Sequence, residues 1–316
     1  NRNPMPVRAV GRLIERRHKG APKASRYKAS GRYPKSDFPF SSLFSFVRVS
    51  AKATNMNLSL KNKHALVCGA SSGIGKASAL ALAAQGASVT ALARREELLD
   101  ELLPLLKEAG AASAHKIVAD LEDREDLENK ISAHLEAQGP VHIWLNNTGG
   151  PPGGPLLHAK VEELQTAFSR HVLAAQTLLQ LLLPGMQAEG YGRIINIIST
   201  SVREPIPNLG VSNTVRGAMA SWAKTLSKEL PPGLTINNIL PGYTDTPRLG
   251  DLKAGVARRL TKPIDEVHAM WVGQIPEGRL ATPEELANAV VFLASEAGAY
   301  IRGVSLPVDG GRLNSI

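Results

Sequence analysis

The sequence has one cysteine and no long apolar run. With only Cys68 available, a disulfide framework and a zinc site of several cysteines are both excluded. The most apolar helix-like stretch, residues 172–183, is interrupted by Gln176, Thr177 and Gln180, so we expect no membrane span. The composition, 43% hydrophobic and 21% charged, is typical of a folded enzyme in a reducing compartment, and a cytoplasmic location is the default expectation.

The excess positive charge is confined to the first 55 residues. The formal net charge is +9, but residues 1–55 hold 13 Lys and Arg against two acids, whereas the rest of the chain has 24 basic and 26 acidic residues. The positive net charge of the chain is therefore no evidence about what the residues after position 55 bind. We expect neither nucleic acid nor a membrane as a partner.

Residues 1–55 are predicted to form a basic, disordered leader or a non-native extension. They are rich in Arg, Lys, Ser and Pro and show neither a helical nor a strand period. Three origins fit them: sequence upstream of a natural start at Met56, an import peptide that would place the protein in an organelle matrix, or a binding tail. The folded domain is predicted to span residues 56–316.

Strand-like and helix-like segments alternate through that domain. Strands separated by helices run parallel, because the chain needs a crossover to return to the same edge, and helices then cover both sheet faces. The sequence predicts a single α/β domain, a doubly wound parallel sheet of the Rossmann type with about seven strands. The predicted strands are residues 64–67, 88–93, 116–120, 141–146, 193–198, 234–240 and 304–308.

A glycine cluster lies where the first strand meets the first helix. Its small residues leave backbone N–H groups and the helix N-terminus open to a pyrophosphate. A triphosphate loop would need Gly at Ala70 and Ser or Thr at Ala77, and a turn without a ligand is the other alternative. The pattern predicts a dinucleotide site formed by Gly69, Ser71, Ser72, Gly73, Ile74 and Gly75.

The end of the second strand bears on which dinucleotide binds. A carboxylate there would bind the ribose hydroxyl of NAD(H), but the strand ends at Ala93 and is followed by Arg94 and Arg95. Two guanidiniums suit the 2′-phosphate of NADP(H). The sequence therefore favours NADP(H) over NAD(H), the alternative being that both arginines only solvate a helix start.

Further motifs follow the later strands: Asp120-Leu121, Asn146-Asn147-Thr148-Gly149, Ser199, Pro241-Gly242-Tyr243-Thr244-Asp245-Thr246, and a tail ending in Val308-Asp309-Gly310-Gly311. With the glycine turn, they resemble the short-chain dehydrogenase/reductase family over residues 58–309, nearest its 3-oxoacyl-carrier-protein-reductase-like branch. The resemblance implies Ser199 as the catalytic serine. It implies cofactor contacts from Asp120, Leu121, Asn147, Thr148, Gly149, Arg216, Pro241, Gly242, Thr244 and Thr246.

The catalytic Tyr-x-x-x-Lys motif of that family is replaced. The matching register places Ser212 at the tyrosine and Arg216 at the lysine, and His171 takes the place of a structural asparagine. A serine hydroxyl is a far poorer acid than a phenol, and arginine stays protonated near neutral pH. We therefore expect cofactor binding to survive better than the usual proton transfer.

Three other side chains are candidate acids. Tyr243 lies in the Pro-Gly turn, His171 lies in the fourth helix, and His158 follows the glycine- and proline-rich loop 149–155. Histidine titrates near the useful pH range. Each has a plainer interpretation: packing for Tyr243, a hydrogen-bonded core position for His171, and a simple spacer for the loop before His158.

The segment 247–276 is predicted to cover the substrate. Its apolar and basic side chains suit a carbonyl or alcohol substrate, such as an acyl thioester, that combines an apolar part with an acidic group; an ordinary amphipathic lid fits equally. No metal-binding motif occurs. The side chains concerned are Leu249, Leu252, Met270, Trp271, Lys253, Arg258 and Arg259.

Two hypotheses for function follow. The first is a carbonyl or 3-oxoacyl reductase that uses NADP(H) with an altered proton relay. The second is a dinucleotide-binding sensor or partner subunit without redox turnover. The family resemblance also implies a homodimer or homotetramer, packed through the fourth and fifth helices and the C-terminal strand, which the apolar residues Leu178, Leu179, Leu181, Leu182 and Leu183 allow.

Overall fold

The computed structural model describes residues 56–315, so the predicted leader 1–55 lies outside the described residues. The strands are β1 (His64–Cys68), β2 (Ser88–Ala93), β3 (Ala114–Val118), β4 (Ile143–Asn147), β5 (Gly192–Ile197), β6 (Leu234–Pro241) and β7 (Ser305–Val308). The helices are α1 (Gly73–Ala84), α2 (Glu96–Ala109), α3 (Arg124–Gln138), α4 (Val161–Phe168), α5 (Ala174–Ala188), α6 (Gly210–Glu229), α7 (Pro247–Leu260), α8 (Ile264–Val272) and α9 (Pro283–Ala294).

The seven strands form one parallel sheet in the order β3-β2-β1-β4-β5-β6-β7. The order reverses between β1 and β4, and in such sheets ligands bind beyond the carboxyl ends of the strands at this switch point. The predicted doubly wound Rossmann-type sheet is confirmed. Every predicted strand is present, with ends shifted by two residues at most.

Side chains of the sheet alternate between two apolar cores, one on each face. In β1, Ala65 and Val67 belong to one core, whereas Leu66 and Cys68 belong to the other, as the two-residue period of a strand requires. Helices α1, α2 and α9 cover the first face, and α3, α5 and α6 cover the second. The sheet is therefore buried on both faces, which explains why its central strands are almost continuously apolar.

A ladder of asparagines fixes the register of the central strands. Asn146 on β4 donates to Asn196 on β5 at 2.9 Å, and Asn196 donates to Asn238 on β6 at 2.9 Å. All three side chains are buried. Because a buried amide without a partner is costly, a slip of one strand by one residue would be penalised, and the carboxyl ends of β4, β5 and β6 are held level.

The sequence pattern over residues 161–187 predicts one continuous helix, but the structure interrupts it. A π-helical turn, Ser169–Leu173, separates α4 from α5. It contains His171, whose side chain is buried. Single π-turns inside α-helices are frequent at functional sites, and a simple apolar period does not reveal them.

Candidate functional site

One cavity of about 1120 Å³ runs along the carboxyl ends of β1, β2, β4, β5 and β6. Seventeen of the eighteen predicted cofactor residues, Arg216 among them, lie on its wall. Ser199, Ser212 and Tyr243 share the same wall. Gly75 and His171 are the predicted site residues that do not reach it.

The turn between β1 and α1 needs glycine for steric reasons. Gly69 has a φ of +64°, and a Cβ at Gly75 would lie 2.1 Å from the carbonyl oxygen of Gly69. Asn147 at the end of β4 donates to the carbonyl of Cys68 at 3.2 Å, which ties the turn to the switch point. Gly75 therefore allows the close approach of α1 to the carbonyl of Gly69, while the other predicted residues of the turn line the cavity.

The N-terminus of α1 is suited to an anion. Its cap residue, Ser72, makes no side-chain capping bond, and the first turn contains no acidic residue. The unpaired N–H groups and the positive end of the helix dipole therefore face the cavity without a carboxylate to neutralise them. A pyrophosphate fits this position, as it does at the first βα turn of dinucleotide-binding sheets.

The two arginines after β2 have different partners. Nη2 of Arg95 donates to the hydroxyls of Ser71 at 3.0 Å and Ser72 at 3.1 Å. Arg94 instead forms an exposed ion pair with Asp120 at 3.4 Å. Arg95 thus reaches over the glycine turn with a cation and two hydroxyls, a set that fits a phosphate on the adenosine ribose.

Ser199, Ser212 and Arg216 form the centre of the site. Ser199 follows β5, and its Oγ accepts from the N–H of Ser201 at 3.0 Å, so its own proton is free to donate to a ligand. Ser212 and Arg216 are four residues apart on α6 and therefore lie on one face of that helix. All three lie on the cavity wall.

The guanidinium of Arg216 is buried and anchored by the main chain. It donates to the carbonyl of Ile197 at 2.8 Å and to that of Thr148 at 3.2 Å, at the ends of β5 and β4. Burial, with a smaller contribution from nearby Arg248, lowers the pKa of Arg216 to about 10. It therefore keeps its charge near neutral pH but cannot act as a proton shuttle there.

His171 lies behind the cavity wall. Its Nδ1 is hydrogen-bonded to the hydroxyl of Thr148, and it lines a separate recess of about 300 Å³. Burial, and then the charges of Arg216 and Arg170, lower the pKa of His171 to about 2. The imidazole is thus neutral at physiological pH, and its contact with Thr148 supports the loop whose carbonyl anchors Arg216.

Tyr243 is engaged in packing. Its ring stacks on Trp271 with centroids 4.9 Å apart and planes within 8°. Its hydroxyl donates to Oε1 of Gln274 at 3.4 Å. His158 is exposed and does not reach the cavity wall, although the loop before it does through Gly149, Gly150, Gly153, Gly154 and Pro155.

The segment 247–276 covers the cavity as the two helices α7 and α8. Leu249, Val267 and Trp271 form its small buried core, and Thr246 caps α7 by accepting from the N–H of Leu249 at 3.3 Å. Of the predicted lid residues, Lys253 is the one that does not line the cavity. The lid residues on the wall are Leu249, Leu252, Arg258, Arg259, Met270 and Trp271, joined by Arg248, Asp251, Val256 and Leu260.

Two cavity arginines, Arg312 and Arg248, are not predicted from the sequence. Arg312 lines the cavity, and its Nη1 donates to Oγ1 of Thr200 at 3.2 Å. Arg248 also lines it and donates to the carbonyl of Pro151, which joins the lid to the loop. The sequence offers only a single cation after Gly310-Gly311 as a signal for Arg312. Its partner, Thr200, lies 112 residues earlier in the chain.

Comparison with known proteins identifies the family. A family model described as enoyl-(acyl carrier protein) reductase matches residues 69–312. The chain is 33% identical over 258 residues to the 3-oxoacyl-(acyl-carrier-protein) reductase FabG of Vibrio cholerae, covering 80% of this chain and 98% of that protein. Its fold is similar to L-sorbose reductase of Gluconobacter frateurii complexed with NADPH and L-sorbose, with a TM-score of 0.77 and 30% identity over 83% of this chain and all of that one.

A second solved structure is similar to this chain in fold. YwfH, an NADPH-dependent reductase involved in bacilysin biosynthesis, has a TM-score of 0.75 and 28% identity, covering 80% of this chain and 99% of its own. Fold and site together define an oxidoreductase of the dinucleotide-dependent class. The chain belongs to the short-chain dehydrogenase/reductase family. The predicted family, fold and enzyme class are confirmed.

Within residues 56–315, no helix is long and apolar enough to cross a membrane.

Proposed function

We propose that this chain is an NADPH-dependent reductase of a small carbonyl compound, with an altered proton relay. The observation that carries the proposal is the meeting of Ser199, Ser212 and Arg216 on the wall of the cavity that also contains the glycine turn. The cofactor, when bound, supplies a hydride to the carbonyl carbon. The protein must then stabilise the oxygen while it gains negative charge and must bring a proton to it.

The preference for NADPH rests on Arg95. Its contacts with Ser71 and Ser72 place a cation and two hydroxyls at one phosphate-sized position, and β2 ends at Ala93 without a carboxylate. The related L-sorbose reductase is complexed with NADPH, and YwfH is NADPH dependent. Ser71, Ser72 and Arg95 would hold the ribose phosphate, and the N-terminus of α1 would hold the pyrophosphate.

Ser199 and Arg216 share the task of charge stabilisation. The Ser199 hydroxyl donates to the substrate carbonyl, and the fixed guanidinium of Arg216 lowers the energy of the developing alkoxide. Preorganised donors and cations in a partly buried site are the main means of stabilising such charge, because they need no reorganisation during the reaction. In this arrangement Arg216 contributes its charge only and never its proton.

The proton reaches the alkoxide from water through Ser212. A serine hydroxyl is too weak an acid to remain ionised, so it must donate one proton and accept another from a water in the open cavity. Tyr243 is held by Trp271 and His171 is neutral and buried, so neither is assigned this role. Ser212 is therefore a relay, and the rate should depend on it less than on Ser199.

Substitutions of matched serines test this assignment. NADPH consumption by the full chain is followed with a panel of ketones that includes a 3-oxoacyl thioester. Ser199→Ala should lower kcat by about 100-fold, as loss of one donor to a developing oxyanion does. Ser212→Ala should lower it less, and Ser221→Ala, an exposed serine on the same helix, should leave it unchanged. Equal rates for the wild type and Ser199→Ala would overturn the proposal.

The second candidate is a dinucleotide-binding subunit without turnover. It is favoured by the side chains at positions 212 and 216, which lack a phenol and an amine. Tight NADPH binding without reduction of any compound in the panel would support it over the reductase. Absence of binding to both NADPH and NADH would contradict both candidates.

We also propose that the protein is a homodimer or homotetramer. Of the α5 leucines considered in the sequence, Leu178, Leu179 and Leu182 are buried in the core of their own chain, whereas Leu181 and Leu183 are partly buried. The apolar side chains exposed around α4 include Val161 (63%), Phe168 (42%) and Leu173 (36%). Light scattering on the wild type and on Phe168→Asp tests this assembly, and a wild-type monomer would contradict it.

A further inference from the structure

The substrate end of the cavity is strongly cationic. Besides Arg216 and Arg170, which is paired with Glu122, the lining there includes four arginines: Arg248, Arg258 and Arg259 on the lid and Arg312 on the C-terminal segment. Asp251 is the one carboxylate among the described lining residues outside the adenosine end. Asp120, at that other end, is already paired with Arg94. Such an excess of one sign in a concave site attracts a ligand of the opposite sign.

Arg312 contacts the residue next to Ser199. Its Nη1 donates to Oγ1 of Thr200 at 3.2 Å, and Thr200 directly follows Ser199 in the chain. Its Cζ lies 4.5 Å from the ring centroid of Tyr243, which itself stacks on Trp271. A guanidinium at this position is close enough to Ser199 to bind a second group of the molecule whose carbonyl Ser199 binds.

The charge of Arg312 is not neutralised by the protein. Within residues 56–315, no carboxylate forms an ion pair with it. Its Nε is buried without a hydrogen-bond partner, so part of the guanidinium has already lost its hydration. A cation that is desolvated and unpaired binds an anion more strongly than one exposed to water does.

The other arginines of the cavity have different roles. Arg216 is bound to the carbonyls of Ile197 and Thr148, and Arg248 is bound to that of Pro151. Arg258 and Arg259 lie in the last turn of α7, where cations offset the negative end of the helix dipole. The partners of Arg312 in the described residues are the hydroxyl of Thr200 and the ring of Tyr243, and neither is an anion.

The C-terminal segment holds Arg312 rigidly. Asp309 accepts from the N–H groups of Gly311 at 3.1 Å and Leu313 at 2.9 Å, on either side of Arg312. Glu204 accepts from the N–H groups of Asn314 at 2.8 Å and Ser315 at 2.7 Å. Six residues of irregular chain are thus fixed by two carboxylates, which preorganises the guanidinium for binding.

We propose that the substrate is an oxo acid, a carbonyl compound that carries a carboxylate, and that Arg312 is the specificity-determining residue that binds this carboxylate. The inference rests on the proposed reductase function for its chemistry. The planar guanidinium of Arg312 presents parallel N–H groups of the geometry that a carboxylate accepts. The carboxylate pairs with Arg312 while Ser199 donates to the carbonyl oxygen, and these two contacts orient the carbonyl carbon.

Matched acids and esters test the proposal. Steady-state NADPH oxidation by the full chain is measured with 3-oxobutanoate and its ethyl ester, and with 4-oxopentanoate and its methyl ester. The wild type should prefer at least one acid over its ester in kcat/KM. Arg312→Gln should lower kcat/KM for that acid by about 10-fold to 100-fold, mainly through KM, as the loss of a charged hydrogen bond does, and should leave the ester nearly unchanged.

Two variants serve as controls. Arg259→Gln removes a cavity arginine from the lid, and Arg312→Lys keeps the charge without the planar fork. The proposal expects a smaller loss for both than for Arg312→Gln. An unchanged NADPH affinity of Arg312→Gln shows that the site is still folded. Equal rates for acid and ester in the wild type, or equal losses on both in Arg312→Gln, would overturn the proposal.

A binding measurement separates this inference from the proposed function. Calorimetric titration of 3-oxobutanoate into the complex with NADP⁺ is compared for the wild type and Arg312→Gln. Binding that depends on Arg312, without reduction of any compound, would support the carboxylate site and contradict the reductase. Reduction of neutral ketones with no binding of either acid would support the reductase and contradict the carboxylate site.

Discussion

The guanidinium of Arg216 donates to the carbonyl oxygen of Ile197 at 2.8 Å, on the strand that leads into Ser199. The same side chain donates to Thr148 at the end of β4. Arg216, which the family resemblance aligns with a catalytic lysine, therefore joins α6 to two strands of the sheet. We propose that Arg216 fixes the site and supplies charge, whereas a lysine at this position would assist a phenol.

Restoration of the family motif should raise the rate. The double substitution Ser212→Tyr with Arg216→Lys supplies a phenol and an amine on the wall of a cavity that has room for both. If the cofactor and substrate positions are intact, kcat should rise by about 10-fold or more, because a positioned general acid contributes at least that much. The matched control is Ser212→Phe with Arg216→Lys, which lacks only the phenol oxygen and should show no gain.

The two arginines after β2 should differ in their effect on cofactor choice. Arg95→Gln removes the cation that contacts Ser71 and Ser72, so NADPH affinity should fall by about 10-fold or more while NADH affinity changes little. Arg94→Gln is the matched variant and should have the smaller effect, since Arg94 is already paired with Asp120. Fluorescence titration with both nucleotides measures this. A larger loss for Arg94→Gln would contradict the assignment.

The glycine turn should not tolerate a methyl group at position 75. A Cβ there would lie 2.1 Å from the carbonyl oxygen of Gly69, so Gly75→Ala must displace the turn and should abolish nucleotide binding. Gly217→Ala, an exposed position on α6 with open space around it, is the control. It should bind NADPH normally and be as stable as the wild type or more stable by up to about 1 kcal/mol. Normal NADPH binding by Gly75→Ala would show that the turn does not require glycine at this position.

Much of the fold could be predicted from the sequence because its signals are local. The alternation of apolar strands with helices indicates parallel pairing, and the strand-end glycines at 69, 73 and 75 indicate the dinucleotide turn. The predicted cofactor residues other than Gly75 lie on one cavity wall because parallel strands bring their carboxyl ends to one edge of the sheet. A motif that directly follows a strand can therefore be placed at this edge from the sequence alone.

The parts that could not be predicted depend on contacts between distant residues. Nothing near Arg312 in the sequence indicates that it reaches Thr200 through a tail anchored by Glu204. The burial of His171 depends on a π-turn that an apolar period does not reveal. The ring of Tyr243 is held by Trp271, 28 positions later, so the sequence alone left a catalytic role open for it.

The protein should lose stability in mild acid through His64. This side chain is buried, and its Nε2 is 2.8 Å from Oγ1 of Thr90. Burial, and then the nearby His134, lower the pKa of His64 to about 4. The unfolded chain takes up a proton below about pH 6.5 and the folded protein does not, so stability is complete above that pH and falls between about pH 6.5 and 4.

Urea unfolding at about pH 7.5 and about pH 5 measures this loss. His64 alone should account for about 2 kcal/mol of the decrease in the free energy of unfolding. His64→Gln keeps a hydrogen-bonding side chain beside Thr90 but cannot titrate, so the decrease should shrink by about that amount. The control is His158→Gln, an exposed histidine, which should leave the decrease unchanged. An identical decrease in His64→Gln and the wild type would show that His64 is not its source.

The most direct test of the account is the rate of NADPH oxidation by the full chain and by Ser199→Ala in the presence of carbonyl compounds, with NADPH affinity measured on the same samples. We predict turnover by the wild type, a loss of about 100-fold in kcat for Ser199→Ala and equal NADPH affinity for the two proteins. Tight NADPH binding with turnover that is the same in both proteins would contradict it.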